Sequence, residues 1–220
     1  MTTPQWTLTG HIARTLHNAP VGAVDLDRAS RGIVIAAQPG GAEDHLLGLD
    51  LRADCRLAEH WIRGGDVTAV YEPGDARHLR ATAMWRLAPF TPGASDGRVA
   101  VWELVVSAQT SLLESDPTLA VVSDVAATDV RRLAANGLIV RRGDGSSALV
   151  VVHPDDLRTI SFEQAGGRAT ICCRLFSAAI EKGVLLRSRV LAAIGPTAND
   201  TAWATAVAAD FAASPPILTT

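Results

Sequence analysis

A period of two runs through this sequence and limits what it can become. Leu79, Ala81, Ala83, Trp85 and Leu87 alternate with Arg80, Thr82, Met84 and Arg86. Alternation of that kind sends one set of side chains into a core and the other toward solvent, as a β-strand does. The stretch 98–109 is apolar on both faces, with Glu103 as the exception, which predicts a central strand covered on both sides. Further strands are predicted near 5–10, 31–37, 45–51, 57–63, 66–72, 118–123, 137–142, 147–153, 158–164, 168–176 and 184–194. Turn formers separate them: Gly64-Gly65, Pro73-Gly74-Asp75, Pro92-Gly93, Asp144-Gly145, Pro154-Asp155 and Gly166-Gly167. Gly-Gly tolerates positive φ, so Gly64-Gly65 reads as a hairpin turn. Many short strands between such turns specify an all-β chain of two packed antiparallel sheets, a sandwich or supersandwich.

One helix is predicted near 200–213. Asn199 and Asp200 are placed to cap it, and Trp203, Val207 and Phe211 recur at helical spacing before Pro215-Pro216. A shorter helical turn is predicted over 126–135. The 220 residues suit one domain, 1–220, with a core large enough to need no staple.

The chain also resembles itself. Segment 50–58 is similar to 124–134, Arg63-Gly-Gly-Asp66 to Arg141-Arg-Gly-Asp144, 70–75 to 151–156, and 80–87 to 168–175. These pairs follow in the same order and predict two pseudo-repeats, near 46–108 and 120–194. Reuse of Gly-Asp and Pro-Asp turns by unrelated strand pairs would give the same pattern.

Composition narrows the function. Lys and Arg number 20 against 23 Asp and Glu, a formal charge of -3. A nucleic-acid partner is not expected from that balance. The N-terminus has no basic start followed by an apolar stretch, and no window approaches a membrane span. Cys55, Cys172 and Cys173 fit neither a disulfide framework nor a zinc site, and read as small buried hydrophobes of a reducing cytoplasm. The six histidines show no compact ligand spacing, so no metal or other cofactor is expected. No nucleophile elbow, HExxH, Walker loop or Rossmann glycine run names a reaction.

Arginines and tryptophans supply the candidate site. Arg187 and Arg189 share one face of their strand, and Arg174 shares a face with Arg168, Thr170 and Cys172. Were those strands neighbours, Arg174, Arg187 and Arg189 would converge, with Arg86 as the repeat counterpart of Arg174. Guanidinium groups gathered this way bind carboxylates or phosphates through paired hydrogen bonds. Glu103 and Glu181 are the carboxylates placed to meet them, and Glu103 with Glu181 or His60 is the candidate acid–base pair. Trp85 belongs to the core, whereas Trp61, flanked by Glu59 and Arg63, suits a polar cleft where an indole stacks on a sugar ring. The opposing reading is that these arginines line a solvated sheet face and pair with acids there.

The segment 174–189 and the Trp85-Arg86 strand resemble those of an uncharacterised bacterial β-sandwich family. The general pattern is similar to the galactose-mutarotase-like supersandwich. That resemblance implies two packed sheets and sugar binding; with the arginines, the expected partner is a sugar or an anionic small molecule. It carries over no catalytic residue, because no His and carboxylate fall on a matching motif. Three functions are therefore expected in competition: sugar or sugar-acid binding, with sugar modification as its extension; a non-catalytic interaction or scaffold role, as a homodimer; and an enzyme of unknown class whose metal is held across strands. The second predicts an unpaired edge strand or an exposed apolar patch.

Overall fold

The computed structural model describes residues 5–16, 22–35, 42–74, 76–88, 99–156, 158–176 and 178–215. Sheet A contains β1 (Gln5–Thr9), β2 (Ile12–Leu16), β3 (Gly22–Asp25), β4 (Ile33–Ile35), β5 (Asp44–Asp50), β10 (Ala120–Ala126), β14 (Thr159–Ala165) and β15 (Arg168–Arg174). Its strand order is β1-β2-β3-β4-β5-β10-β15-β14. Sheet B contains β6 (Cys55–Arg63), β7 (Asp66–Pro73), β8 (Leu79–Leu87), β9 (Ala100–Thr110), β11 (Asp129–Leu133), β12 (Gly137–Arg141), β13 (Ser146–Val152) and β16 (Leu186–Pro196). Its order is β11-β12-β13-β16-β9-β8-β7-β6, so β16 closes the gap between an earlier meander and a later one. Both sheets are antiparallel, and with the helix α1 (Asp200–Ala213) they form the expected sandwich.

The inner faces meet in a continuous core. Trp85, Tyr71, Leu46, Leu47, Leu104, Val121 and Ile171 are among its fully buried members. One hydrogen bond crosses the core at a conformational exception. Leu47, in the middle of β5, has φ 56°, a left-handed value that costs an L-residue about 1–2 kcal/mol. The pairing of β5 with β10 slips at this point, between Val122 and Asp124. The freed backbone groups find side chains instead. The Leu47 amide donates to Ser123 Oγ at 3.0 Å, and Trp85 Nε1 of sheet B donates to the Leu47 carbonyl at 3.0 Å. Beside it, a Cβ on Gly48 would stand 2.1 Å from the Ser30 carbonyl oxygen, so only glycine lets the chain pass so close.

The outer face of sheet B carries a second apolar layer. Trp203, Val207 and Phe211 of α1 pack on Ile139, Leu149, Val151 and Leu191. The helix starts where expected, but Asn199 does not cap it with its side chain. Asn199 is itself left-handed, at φ 59°. Asp200 anchors the helix instead, accepting from Arg131 Nη2 at 2.8 Å, Arg141 Nε at 2.8 Å and Ser147 Oγ at 3.1 Å. Burial alone would raise the Asp200 carboxyl, but the hydrogen bonds from Arg141, Arg131 and Ser147 outweigh it and hold the group well below the usual carboxylate range.

Several expectations need correction. Residues 129–133 are the strand β11 paired with β12, not a helical turn. Val130 and Arg132 alternate with Arg131 and Leu133, and the pairing satisfies the backbone before a helix forms. Cys55 is exposed, Cys172 is half-buried and only Cys173 is fully enclosed. Pro92-Gly93 and Pro216 lie outside the described residues.

Trp85→Phe should destabilise the fold by about 2–4 kcal/mol, because it strips a buried carbonyl of its donor and removes part of a filled volume. Equilibrium urea unfolding measures this, and a loss below 1 kcal/mol, on the order of an ordinary surface change, would mean the inter-sheet bond is dispensable.

Candidate ligand-binding face of sheet B

Register fixes which side chains share the outer face of sheet B. Trp61, Thr68, Met84, Val105 and Arg189 form one row across β6, β7, β8, β9 and β16. Asp66, Arg86, Glu103 and Leu191 form the next row toward one end, and Val70, Thr82, Ser107 and Arg187 the next toward the other. Trp61, Arg86, Arg187, Arg189 and Glu103 therefore lie on the same face. Arg174 does not. It alternates with the core residues Ala169, Ile171 and Cys173 on β15, so it projects from the outside of sheet A, with both sheets between it and the others. The expected convergence of Arg174 with Arg187 and Arg189 fails because β15 and β16 are not neighbours.

The middle of the face is an ion-pair ladder. Arg86 donates from Nε to Asp66 Oδ1 at 3.1 Å and from Nη1 to Glu103 Oε2 at 3.1 Å. Oε1 of Glu103 is buried with no hydrogen-bond partner. Burial pushes the Glu103 carboxyl above its ordinary value, and the nearby Arg86 and Arg189 only partly oppose that. Arg189 is a clamp for the end of α1. It is buried, lies 5.7 Å from the Phe211 ring, and donates from Nη1 to the carbonyl oxygens of Ser214 and Pro215 at 3.3 and 3.0 Å. Its backbone amide donates to Asp156 Oδ2 at 2.9 Å. A guanidinium so enclosed offers no face to a ligand, which corrects its expected binding role.

Glu103 meets neither of its proposed partners. Glu181 stands in the turn preceding β16, beyond the opposite end of β9 from Glu103, and its carbonyl accepts from the Val184 amide at 3.0 Å. His60 lies against His11, with ring centroids 4.8 Å apart.

Beyond the Arg187 row the face opens into a hollow of about 520 Å³. Glu72, His78, Leu79, Arg80, Gln109, Thr110, Ser111, Lys182 and Gly183 line it. Two strand ends and a turn build it. β8 begins there, β9 ends there, and Gly183, at φ 86°, lets the 181–184 turn fold back over them. His78 at the rim is left-handed, at φ 47°. Thr110 Oγ1 donates to the Arg77 carbonyl oxygen at 3.1 Å and ties the end of β9 to this bend. Lys182 is the chain's one lysine, every other long basic side chain being arginine. Arg80 bridges Glu59 and Glu72. The hollow lies roughly 20 Å along β9 from Glu103, at about 3.3 Å per residue.

The sequence reading missed His78, Arg80, Gln109, Ser111 and Lys182 as a group. Arg80 was legible as a solvent-facing residue of β8, and the isolated lysine beside a glycine was a usable signal. Their meeting depends on β16 pairing with β9, which no local pattern shows. Among the described residues no three His, Cys, Asp or Glu side chains stand close enough to share a metal ion. Among them, too, no helix is long and apolar enough to cross a membrane.

No family model and no curated protein sequence matches the chain. Among solved structures, one described as a kojibiose phosphorylase from human microbiome aligns with a TM-score of 0.48 at 8% identity. The alignment covers 96% of this chain and 38% of that one. A likeness at that level says nothing about activity.

Glu103 supplies a test of the ladder. A glutamate raised by burial holds more protons in the folded state, so stability falls as pH rises from the ordinary glutamate range through its folded value. Glu103→Gln should remove that slope and leave the protein at neutral pH as stable as the parent or more so. Urea midpoints between acid and neutral pH measure it; an unchanged slope would place the titration elsewhere.

Proposed function

We propose that the chain binds an anionic sugar, a uronic acid or a sugar phosphate, in the hollow at the end of the sheet B face. One observation carries this reading: the chain's one lysine, which has no ion-pair partner among the described residues, lines a hollow with Arg80 and His78 against Glu72 as the one carboxylate. Its volume of about 520 Å³ falls within the range of small-molecule sites. Lys182 supplies charge to the acid group as a compact ammonium, and Arg80 adds directional donors. Gln109 and Ser111 carry the neutral donors and acceptors that sugar hydroxyls need.

The face extends the site. Arg187, whose Nε donates to Ser107 Oγ at 3.2 Å, occupies the next row. Trp61, on the edge strand β6 four strands from Arg187, is 42% exposed. An exposed indole presents an apolar ring to the C–H face of a second sugar unit. Binding is the activity this arrangement supports; Glu103 and Glu181 stand too far apart to act as an acid–base pair.

Thermal shift with galacturonate, glucuronate and glucose 6-phosphate, against neutral glucose, tests the proposal. A ligand at about 100 times its Kd stabilises by about 2.7 kcal/mol. For a chain of this size that raises Tm by roughly 5–11 °C. Lys182→Ala, on an exposed turn, should weaken binding of the responding acid by about 10- to 150-fold, the worth of one charged hydrogen bond. Saturating ligand should also protect Lys182 from acetylation, read by mass spectrometry. Equal response to neutral and anionic sugars, or none to any, would end this reading.

A further inference from the structure

Four strands form the sheet edges among the described residues, and three of them are protected. β6 carries a bulge between Leu57 and Glu59 and the charges Arg56, Glu59 and Arg63. β11 has five residues, three of them charged, and α1 packs beside it. β1 is equally short and packs against β6 and β7. Such devices keep an edge from recruiting another strand. β14 has a single charge, Glu163, and no other of these devices. Its seven residues, Thr-Ile-Ser-Phe-Glu-Gln-Ala, contain no proline, lysine or arginine, and its register with β15 runs unbroken from Thr159 to Ala165.

Phe162 adds a second observation. It lies on the inner side of sheet A, on the face of its neighbour Ile160 and opposite Ile171, both of which are in the core. Yet Phe162 is 40% exposed and stands outside the core cluster. An apolar side chain thus points along the sandwich interior where sheet B does not cover it.

We propose that two copies of the chain pair edge to edge through β14, in antiparallel register about a two-fold axis at Phe162. Phe162 is the middle residue of the strand, so this frame alone overlaps all seven positions. It sets Thr159 opposite Ala165, Ile160 opposite Gln164 and Ser161 opposite Glu163 of the second copy. The one charge therefore faces a hydroxyl that can donate to it, not its own counterpart. The two Phe162 rings meet on the axis and continue the core across the junction. Sheet A becomes one sheet spanning both copies, an isologous contact that closes on itself. The hollow at the end of the sheet B face takes no part.

Interfaces below about 1,200 Å² are weak, so sedimentation should be followed up to protein concentrations on the order of 100 µM. The expected result is a reversible dimer that Phe162→Lys abolishes while circular dichroism stays unchanged. Register is tested in a Cys55→Ser, Cys172→Ser background, because Cys172 lies opposite Ser161 on β15. Directly opposed residues have Cβ atoms about 4.5–5.5 Å apart and diagonal ones about 7–8 Å. Phe162→Cys should therefore form an intermolecular disulfide under mild oxidation, and Ser161→Cys should not. A monomer at every concentration overturns the proposal, including the case in which β14 instead takes up a foreign peptide strand. So does a dimer that survives Phe162→Lys, or one in which Ser161→Cys cross-links in preference to Phe162→Cys.

Discussion

The bond from Trp85 to the Leu47 carbonyl joins the two sheets at the place where one of them breaks its own rules. Leu47 leaves the ladder of sheet A by turning left-handed, and its carbonyl would be buried without a donor if sheet B did not supply one. A buried carbonyl without a partner costs about 1–3 kcal/mol. The relative position of the two sheets is therefore set by a directional contact as well as by apolar packing. Arg86 follows Trp85 on the same strand, and alternation sends it to the opposite face. The placement of the ion-pair ladder outside is a corollary of the indole anchored inside.

The outer face of sheet B divides into a covered part and an open part. The helix covers β11, β12, β13 and β16, held at its start by Asp200 and at its end by Arg189. Both anchors are charged groups enclosed by several hydrogen bonds, the condition under which burying a charge is tolerable. The Asp66–Arg86–Glu103 ladder marks the border between the two parts. Past it, Trp61 and the lysine-bearing hollow are exposed to solvent, and Arg187 is half-buried beside Ser107. Enclosed charges on the packed side and solvent-facing ones on the open side make the face asymmetric.

Much of this was legible from alternation alone. β8, β9 and β16 fall within a few residues of their expected limits, because strands with one apolar face declare themselves. β2 and β3 were missed; Ile12–Leu16 and Gly22–Asp25 are short and contain glycine, alanine and polar residues at core-facing positions. The 126–135 segment misled because Asp129 and its leucine and alanines suit a helix locally, and only the partner β12 decides otherwise. The arginine cluster was half legible. Face-sharing along a strand is a property of that strand, so Arg187 with Arg189 was sound. The inclusion of Arg174 needed to know which strands are neighbours, and order within a sheet is a long-range property. The hollow was illegible for the same reason, since its residues come from two strand ends and a distant turn.

The late position of β16 has a consequence for how the chain acquires its shape. β9 and β13 each wait for β16 to fill the gap between them. Until roughly residue 196 has left the ribosome, both present long, apolar, unpaired margins. Contacts so distant along the chain form slowly, and such intermediates are prone to aggregate. Synthesis halted before β16 would yield not a smaller sandwich but two half-sheets in search of a partner, and chaperones that shield nascent strands would matter most in that interval.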